Sequence, residues 1–100
     1  MTQNVREKEV EQHLTRLVKR AGWITWKLAP TEVGMPDRIV IAPGGNVWMV
    51  ELKRERGGVV SPRQEYVHRQ VRALGVPVYV LAGKEAVGVW VQQRKEDIER

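Results

Sequence analysis

The chain has 100 residues, 42% of them apolar and 29% charged, and its 17 Lys and Arg against 12 Asp and Glu give a formal net charge of +5. This length accommodates one hydrophobic core and excludes a two-domain architecture. The apolar fraction excludes a disordered chain, and no apolar run approaches the roughly 18 to 20 residues that span a bilayer. Because the chain has no cysteine, disulfides and thiolate metal sites are excluded. The polar residues 1–9 lack the apolar core of a signal peptide, so we expect a cytoplasmic protein.

Positive charge is concentrated in the middle of the chain. Residues 12–84 contain 12 Lys and Arg and five Asp and Glu, whereas the segment from Glu85 onward is slightly acidic. A basic surface raises the local concentration of polyanions, which makes nucleic acid the first partner to consider. An acidic lipid surface or an acidic protein would be attracted by the same field, and solubility is the simplest alternative use of the charge.

The first half of the chain predicts one helix and three strands. Apolar positions within residues 4–21 recur with the spacing of an amphipathic helix, and Gly22 ends it. Alternating apolar and β-branched residues predict strands over residues 23–28, 37–42 and 47–53, with a loop over residues 29–36. The last two strands are joined by Pro43-Gly44-Gly45-Asn46, whose glycines tolerate the positive φ of a tight hairpin turn.

A flexible connection over residues 54–60 leads into a second predicted helix. Ser61 is a good N-cap, and Gln64, three residues later, can complete a capping box. We expect the buried stripe of this helix to consist of Val67, Val71 and Leu74. Residues 76–81 are nearly all apolar, which predicts a strand covered on both faces.

The C-terminal segment is ambiguous. Residues 86–91 fit either a helical turn or an extra strand, and residues 94–100 fit a short solvated helix or a frayed tail. The predicted order of the remaining elements is α-β-β-β-α-β, which implies a single α/β domain with a mixed sheet flanked by helices.

Three charged residues are predicted to meet at one end of the hairpin. Asp37 opens the second strand, and Glu51 and Lys53 close the third, so the hairpin brings them together. Because side chains alternate along a strand, Glu51 and Lys53 share one face at a spacing of about 7 Å. A carboxylate and an ammonium group at the end of a core strand are costly unless they are paired or bind a metal ion.

These residue types suit the hydrolysis of a phosphodiester. Two carboxylates can bind a hard Mg²⁺-type ion, which lowers the pKa of a bound water. A lysine beside them can stabilise the negative charge that develops on the phosphate. We therefore expect Asp37 and Glu51 to be metal ligands and Lys53 to be a catalytic lysine. Taken one at a time, the same residues are explained by an ordinary Glu51–Lys53 salt bridge and by an aspartate at a strand end.

The ordered set of motifs resembles the VRR-Nuc family of the PD-(D/E)XK nuclease superfamily, which has the core order α-β-β-β-α-β. The resemblance extends from about residue 7 to residue 81. The matching runs are Gly34-Met35-Pro36-Asp37-Arg38, Gly44-Gly45, Val50-Glu51-Leu52-Lys53 and Ser61-Pro62-Arg63-Gln64. The resemblance implies one restriction-endonuclease-like domain over residues 1–100. It also implies a nuclease that depends on Mg²⁺ or Mn²⁺ and uses no organic cofactor.

The resemblance adds two site residues to the three above. Members carry a glutamate on the first helix and a glutamine on the helix after the motif, which match Glu11 and Gln64. Glu11 would be a third metal ligand with a catalytic role, and Glu7, one turn earlier on the same edge, is the alternative. Gln64 would be catalytic, although the capping box explains it as well, and the two roles are compatible.

Other polar and aromatic residues receive simpler interpretations. His68, one turn after Gln64, lies at a position where a histidine is more often structural than catalytic. The four tryptophans fit the core by default, while an exposed pair could stack on bases or form a subunit contact. Several arginines near the motif are candidates for DNA phosphate contacts. These are Arg38, Arg54, Arg56 and Arg63.

The small size of the domain bears on substrate choice. It leaves no room for a separate DNA-recognition domain, so specificity must come from DNA shape or from a second copy of the chain. Small stand-alone members of the family resemble Holliday-junction resolvases of phages or bacteria. We therefore expect a metal-dependent DNA endonuclease that acts on branched DNA as a homodimer, in a bacterial or phage-infected cell.

Three other functions are considered. A flap or nicked-duplex nuclease of repair type would fit a resemblance to the catalytic domain of the Fanconi-associated repair nuclease. A non-catalytic nucleic-acid-binding module is disfavoured because two carboxylates without a metal ion would repel phosphate. A protein-interaction module that uses the tryptophans would bind its partner with little dependence on salt.

Overall fold

The computed structural model describes residues 5–29 and 31–100, and within them four strands form one sheet flanked by three α-helices. The elements are α1 (Glu7–Arg20), β1 (Ile24–Lys27), β2 (Arg38–Ala42), β3 (Asn46–Lys53), α2 (Pro62–Ala73), β4 (Val78–Ala82) and α3 (Lys84–Glu99). The predicted α/β fold and its order α-β-β-β-α-β are therefore confirmed. Asn4, at the predicted start of the first helix, and Pro30, in the predicted loop, lie outside the described residues.

The sheet has the strand order β1-β2-β3-β4. The first two neighbouring pairs are antiparallel, and β3 and β4 are parallel, as expected for a connection that passes through α2. In the hairpin Arg38 is the partner of Val50, so Asp37, one residue before β2, lies beside Glu51. The turn is a short 3-10 segment, Pro43–Gly45, in which both glycines have positive φ. The glycine pair thus sets the register that brings the two carboxylates together.

The hydrophobic core lies between one face of the sheet and the helices α1 and α3. Three of the four tryptophans pack there, with the Trp48 ring centroid 5.6 Å from that of Trp23 and 5.5 Å from that of Trp90. Trp26 is 59% exposed and does not join them. The remaining core residues include Val10, Leu14, Val18, Val40, Val50, Leu52, Leu81, Val87 and Val91.

The helix α2 lies on the opposite face, and its buried stripe differs from the prediction. Val67 and Val71 are only half-buried, whereas His68 is fully buried. The prediction for Leu74 is wrong, because this residue is 87% exposed. Leu74 is the C-cap, one residue beyond the end of α2, so helical spacing no longer directs its side chain towards the sheet.

The prediction that the fourth strand is covered on both faces is confirmed for part of the strand, because α2 contacts it on one face and α3 on the other. β4 lies at the edge of the sheet, and Val80 is 37% exposed. Val78 and Leu81 are buried, one on each side of the strand. A continuous apolar run in the sequence therefore does not show that a strand is central in the sheet. An edge strand that packs against helices also buries apolar side chains.

The ambiguous C-terminal segment forms a single helix, α3, of 16 residues. Val87, Trp90 and Val91 follow the spacing of one helix face and enter the core. The helical signal in the sequence is weak here, because Gly88 and the neighbouring valines have low helix propensity. Among the described helices, none is both long and apolar enough to cross a membrane.

Candidate active site

The end of the β2–β3 hairpin holds Asp37 in a fixed position. Its Oδ2 accepts a hydrogen bond of 2.9 Å from the backbone N–H of Leu52, the residue that follows Glu51. Its backbone carbonyl accepts a second bond of 2.8 Å from the N–H of Leu28. The carboxylate of Asp37 is thereby held against the end of β3, next to that of Glu51.

Glu51 is a buried carboxylate, with only 2% of the residue exposed. Its Oε2 accepts a hydrogen bond of 3.0 Å from Nε2 of Gln64 and lies 3.6 Å from Nζ of Lys53. Burial and, next, the negative charge of Asp37 raise the pKa of Glu51 to about 7, against the opposing effect of the Lys53 ammonium group. A carboxyl group with this pKa in a cluster of polar residues is typical of a functional site.

Gln64 links the site to the start of α2. Its Oε1 accepts hydrogen bonds from Nζ of Lys53 at 3.2 Å and from the backbone N–H of Ser61 at 2.9 Å. Oγ of Ser61 in turn accepts from the N–H of Gln64 at 3.1 Å, which completes the predicted capping box. The same amide also donates to Glu51, so the capping contact and the contact with the charged cluster coexist in one side chain.

His68 also belongs to this cluster, although its sequence position had indicated a structural role. It is 1% exposed, and its Nε2 lies 3.6 Å from Oε1 of Glu51. Burial, followed by the charges of Arg72 and Lys53, lowers the pKa of His68. The available sequence signal was its position four residues after Gln64, which places both side chains on one face of α2.

Glu11 is not brought into contact with Glu51. It projects from α1 on the other side of the sheet, where its Oε2 lies 3.5 Å from Nε of Arg38 and its Oε1 lies 3.8 Å from Nζ of Lys27. Glu11 and Asp37 line one cleft of about 500 Å³, which Glu7 also lines. In the described parts of the chain, no three His, Asp or Glu residues are grouped so that they could hold a metal ion. The structure therefore pairs Asp37 with Glu51, whereas Glu11 shares a cleft with Asp37 alone.

The four arginines expected to contact DNA differ in their surroundings. The side chain of Arg38 is only 13% exposed and forms the ion pair with Glu11, because alternation along β2 directs it towards α1. Arg54, Arg56 and Arg63 are exposed. Arg54 donates to the carbonyl of Gly57 at 3.4 Å, and Arg63 donates to that of Val33 at 3.2 Å. Three of the four thus present their charge on the surface, and Arg38 presents it to a glutamate.

Two comparisons with known proteins identify relatives, while no family model matches the chain. A protein of Acyrthosiphon pisum secondary endosymbiont phage 1, named "Putative nuclease p44", is 37% identical over 82 residues, which cover 81% of this chain and 87% of the relative. A solved structure described as a VRR_NUC domain superposes with a TM-score of 0.79 at 26% identity. It covers 88% of this chain and 97% of its own. The chain belongs to the VRR-Nuc family of nucleases.

Proposed function

We propose that this chain is a metal-dependent, structure-selective DNA endonuclease that hydrolyses phosphodiester bonds and resolves Holliday junctions as a homodimer. The observation that carries the proposal is the convergence of Asp37, Glu51, Lys53 and Gln64 at one end of the sheet. Two carboxylates, an ammonium group and an amide that lie close together suit phosphoryl chemistry better than they suit packing.

The residues fit Mg²⁺ or Mn²⁺ bound by Asp37 and Glu51. Among the described residues Oε1 of Glu51 is buried without a hydrogen-bond partner, and burial and, next, the charge of Asp37 raise the pKa of Glu51. Adjacent carboxylates with an unused oxygen form the donor set that hard divalent cations prefer. Glu11 would have to leave its ion pair with Arg38 to join them. A bound cation would supply a water of lowered pKa and a positive charge beside the scissile phosphate.

The residues of the chain have distinct roles in this proposal. Lys53 presents its ammonium group where negative charge develops on the phosphate, and the hydrogen bond to Gln64 limits the positions of that group. Gln64 is fixed by the N-cap of α2, so it orients Lys53 and Glu51 at the same time. This preorganisation reduces the rearrangement needed when the phosphate enters.

The surface around the cluster supports a polyanionic substrate. The cleft that Asp37 lines also contains Lys8 and Lys27. A second cleft, of about 320 Å³, is lined by Lys53, Arg54 and neighbouring residues. Cationic side chains in both clefts can contact phosphates on either side of the bond to be cut. The net charge of +5 agrees with such a partner.

The homodimer is supported by an apolar area on the sheet face opposite the core. Ile24 is 48% exposed, Trp26 59% and Val47 38%. The register places Ile24 and Val47 on either side of Ile41, so these residues share one face. A second copy that covers this face would bury apolar surface. It would also provide the two active sites that a symmetric four-way junction requires.

The proposal is tested by incubating the purified protein with Mg²⁺ or Mn²⁺ and labelled DNA substrates. The substrates are a four-way junction, a flap, a nicked duplex, an intact duplex and a single strand, and Asp37→Ala is the control. We expect paired symmetric cuts in the junction that require the metal ion and disappear in the control. Preferred cleavage of flaps or nicked duplex would favour a repair-type nuclease. Salt-sensitive binding without cleavage of any substrate would favour a non-catalytic module.

A further inference from the structure

His68 approaches the oxygen of Glu51 that Lys53 and Gln64 do not contact. Its Nε2 lies 3.6 Å from Oε1 of Glu51, while Gln64 and Lys53 lie next to Oε2. Both residues are almost completely buried, at 1% and 2% exposure. In the described part of the chain, neither Nε2 of His68 nor Oε1 of Glu51 has a hydrogen-bond partner.

Packing alone does not explain a histidine at this position. A buried polar atom without a partner destabilises the fold, so an apolar side chain of similar size would be the more stable choice. The separation of 3.6 Å is slightly longer than a hydrogen bond. With its proton on Nε2, the neutral ring can donate to one lone pair of Oε1 at a slightly closer approach, and the other lone pair remains for a cation. The position is therefore best explained by the carboxylate that the imidazole faces.

We propose that His68 is a positioning residue, whose imidazole fixes the orientation of the Glu51 carboxylate for binding of the divalent cation. The inference rests on the metal-dependent function proposed above. Gln64 and His68 lie one turn apart on α2, and one faces each oxygen of Glu51. Side chains that orient a metal ligand in this way commonly change metal affinity or activity by about 10- to 100-fold when they are replaced.

The test compares His68→Met with His68→Gln. Methionine and glutamine side chains are similar in length and volume, but only glutamine carries an amide that can donate to Glu51. Mn²⁺ alone is titrated calorimetrically into the protein without DNA. We expect His68→Met to weaken Mn²⁺ binding by about 10- to 100-fold, and His68→Gln to restore most of the affinity. Val71→Ala, a change at a half-buried position of the same helix, should lower stability and leave Mn²⁺ affinity unchanged.

Each outcome decides between the two proposals. Wild-type affinity in His68→Met, or an equal loss of affinity in Val71→Ala, would overturn the role of His68 and leave the proposed function intact. A wild-type protein that does not bind Mn²⁺ would overturn the proposed function and the role of His68 with it.

A second measurement requires no change at position 68, so it remains valid if the variants do not fold. The chain has two histidines, and His13 on α1 serves as an internal control. In ¹⁵N-labelled wild-type protein, we expect Mg²⁺ to shift the imidazole resonances of His68 and to leave those of His13 unchanged. Resonances of His68 that do not respond to Mg²⁺, in a protein that binds the ion, would overturn the proposal.

Discussion

Nε2 of Gln64 donates a hydrogen bond of 3.0 Å to Oε2 of Glu51, which ties the start of α2 to the end of β3. The same glutamine completes a capping box, so its replacement should affect both stability and the active site. The two effects can be separated, because the capping partner Ser61 has no such contact with the carboxylate.

Replacing Gln64 and replacing Ser61 should therefore have different consequences. Ser61→Ala removes the cap and should lower stability by about 1 kcal/mol with little change in cleavage rate. Gln64→Ala should lower stability by a similar amount and also reduce the rate by about tenfold or more, because Lys53 and Glu51 lose their common partner. Thermal unfolding and single-turnover cleavage measure the two quantities. Equal rates in the two variants would limit Gln64 to capping.

The raised pKa of Glu51 predicts how stability depends on pH. The folded protein holds the proton of Glu51 up to a pH of about 7, whereas the unfolded chain releases it near the ordinary value of 4.5. The protonated carboxyl therefore favours folding below pH 4.5, and this contribution is lost as the pH rises to about 7. Glu51→Gln should raise the melting temperature by ~5 °C or more at pH 8, and by much less at pH 5.

The control for this experiment is Glu32→Gln, which removes one negative charge from an exposed loop. Both variants are compared with wild type in the presence of a chelator, so that metal binding does not contribute. A melting-temperature difference for Glu51→Gln that does not grow between pH 5 and pH 8 would show that the carboxyl group ionises normally in the folded protein.

Glu11 and Glu7 line the same cleft as Asp37, but only Glu11 forms ion pairs with Arg38 and Lys27. We expect Glu11→Gln to reduce cleavage about tenfold or more, because it removes a carboxylate from the cleft that Asp37 lines, where we propose that the cation binds. Glu7→Gln carries the same charge change at an exposed position and should cleave at nearly the wild-type rate. Rates for the two variants are compared on one DNA substrate at saturating Mg²⁺. Indistinguishable activities would remove Glu11 from the reaction.

Gly58 provides a test of backbone packing beside Lys53. A Cβ atom at Gly58 would lie 2.6 Å from the carbonyl oxygen of Arg54 and 2.9 Å from Cβ of Lys53. Gly58→Ala should therefore displace Lys53 and lower the cleavage rate. Full activity in Gly58→Ala would indicate that the loop tolerates the displacement.

Gly88, inside α3, has nothing within 4 Å of its Cβ position, so Gly88→Ala should stabilise the protein by about 1 kcal/mol.

The charged centre of the site is the part that sequence patterns predict best. Two-residue alternation and a glycine turn are local signals, and together they fix the face and register of Asp37, Glu51 and Lys53. The same alternation places Arg38 on the opposite face from Asp37, which explains why it meets Glu11 instead of the surface. Applied to Arg38, this rule would have predicted a side chain on the face of the sheet opposite to that of Asp37.

The remaining features depend on how the helices pack against the sheet, and the local sequence pattern does not determine that packing. The burial of His68 and the exposure of Leu74 follow from the position of α2 across β3 and β4. The edge position of β4 follows from the order of the strands. The helix α3 is stabilised by contacts of Val87 and Trp90 with the core, which offset the low helix propensity of Gly88.

We propose that Lys53 acts in the chemical step of a metal-dependent cleavage, and the variant Lys53→Ala isolates this role from DNA binding. Binding to a four-way junction is measured by fluorescence anisotropy, and single-turnover cleavage is measured with Mn²⁺ at saturating protein. We expect the variant to bind within about threefold of wild type, since many phosphate contacts remain, and to cleave ~100-fold more slowly or worse. Cleavage at the wild-type rate by a folded Lys53→Ala protein would exclude Lys53 from the reaction.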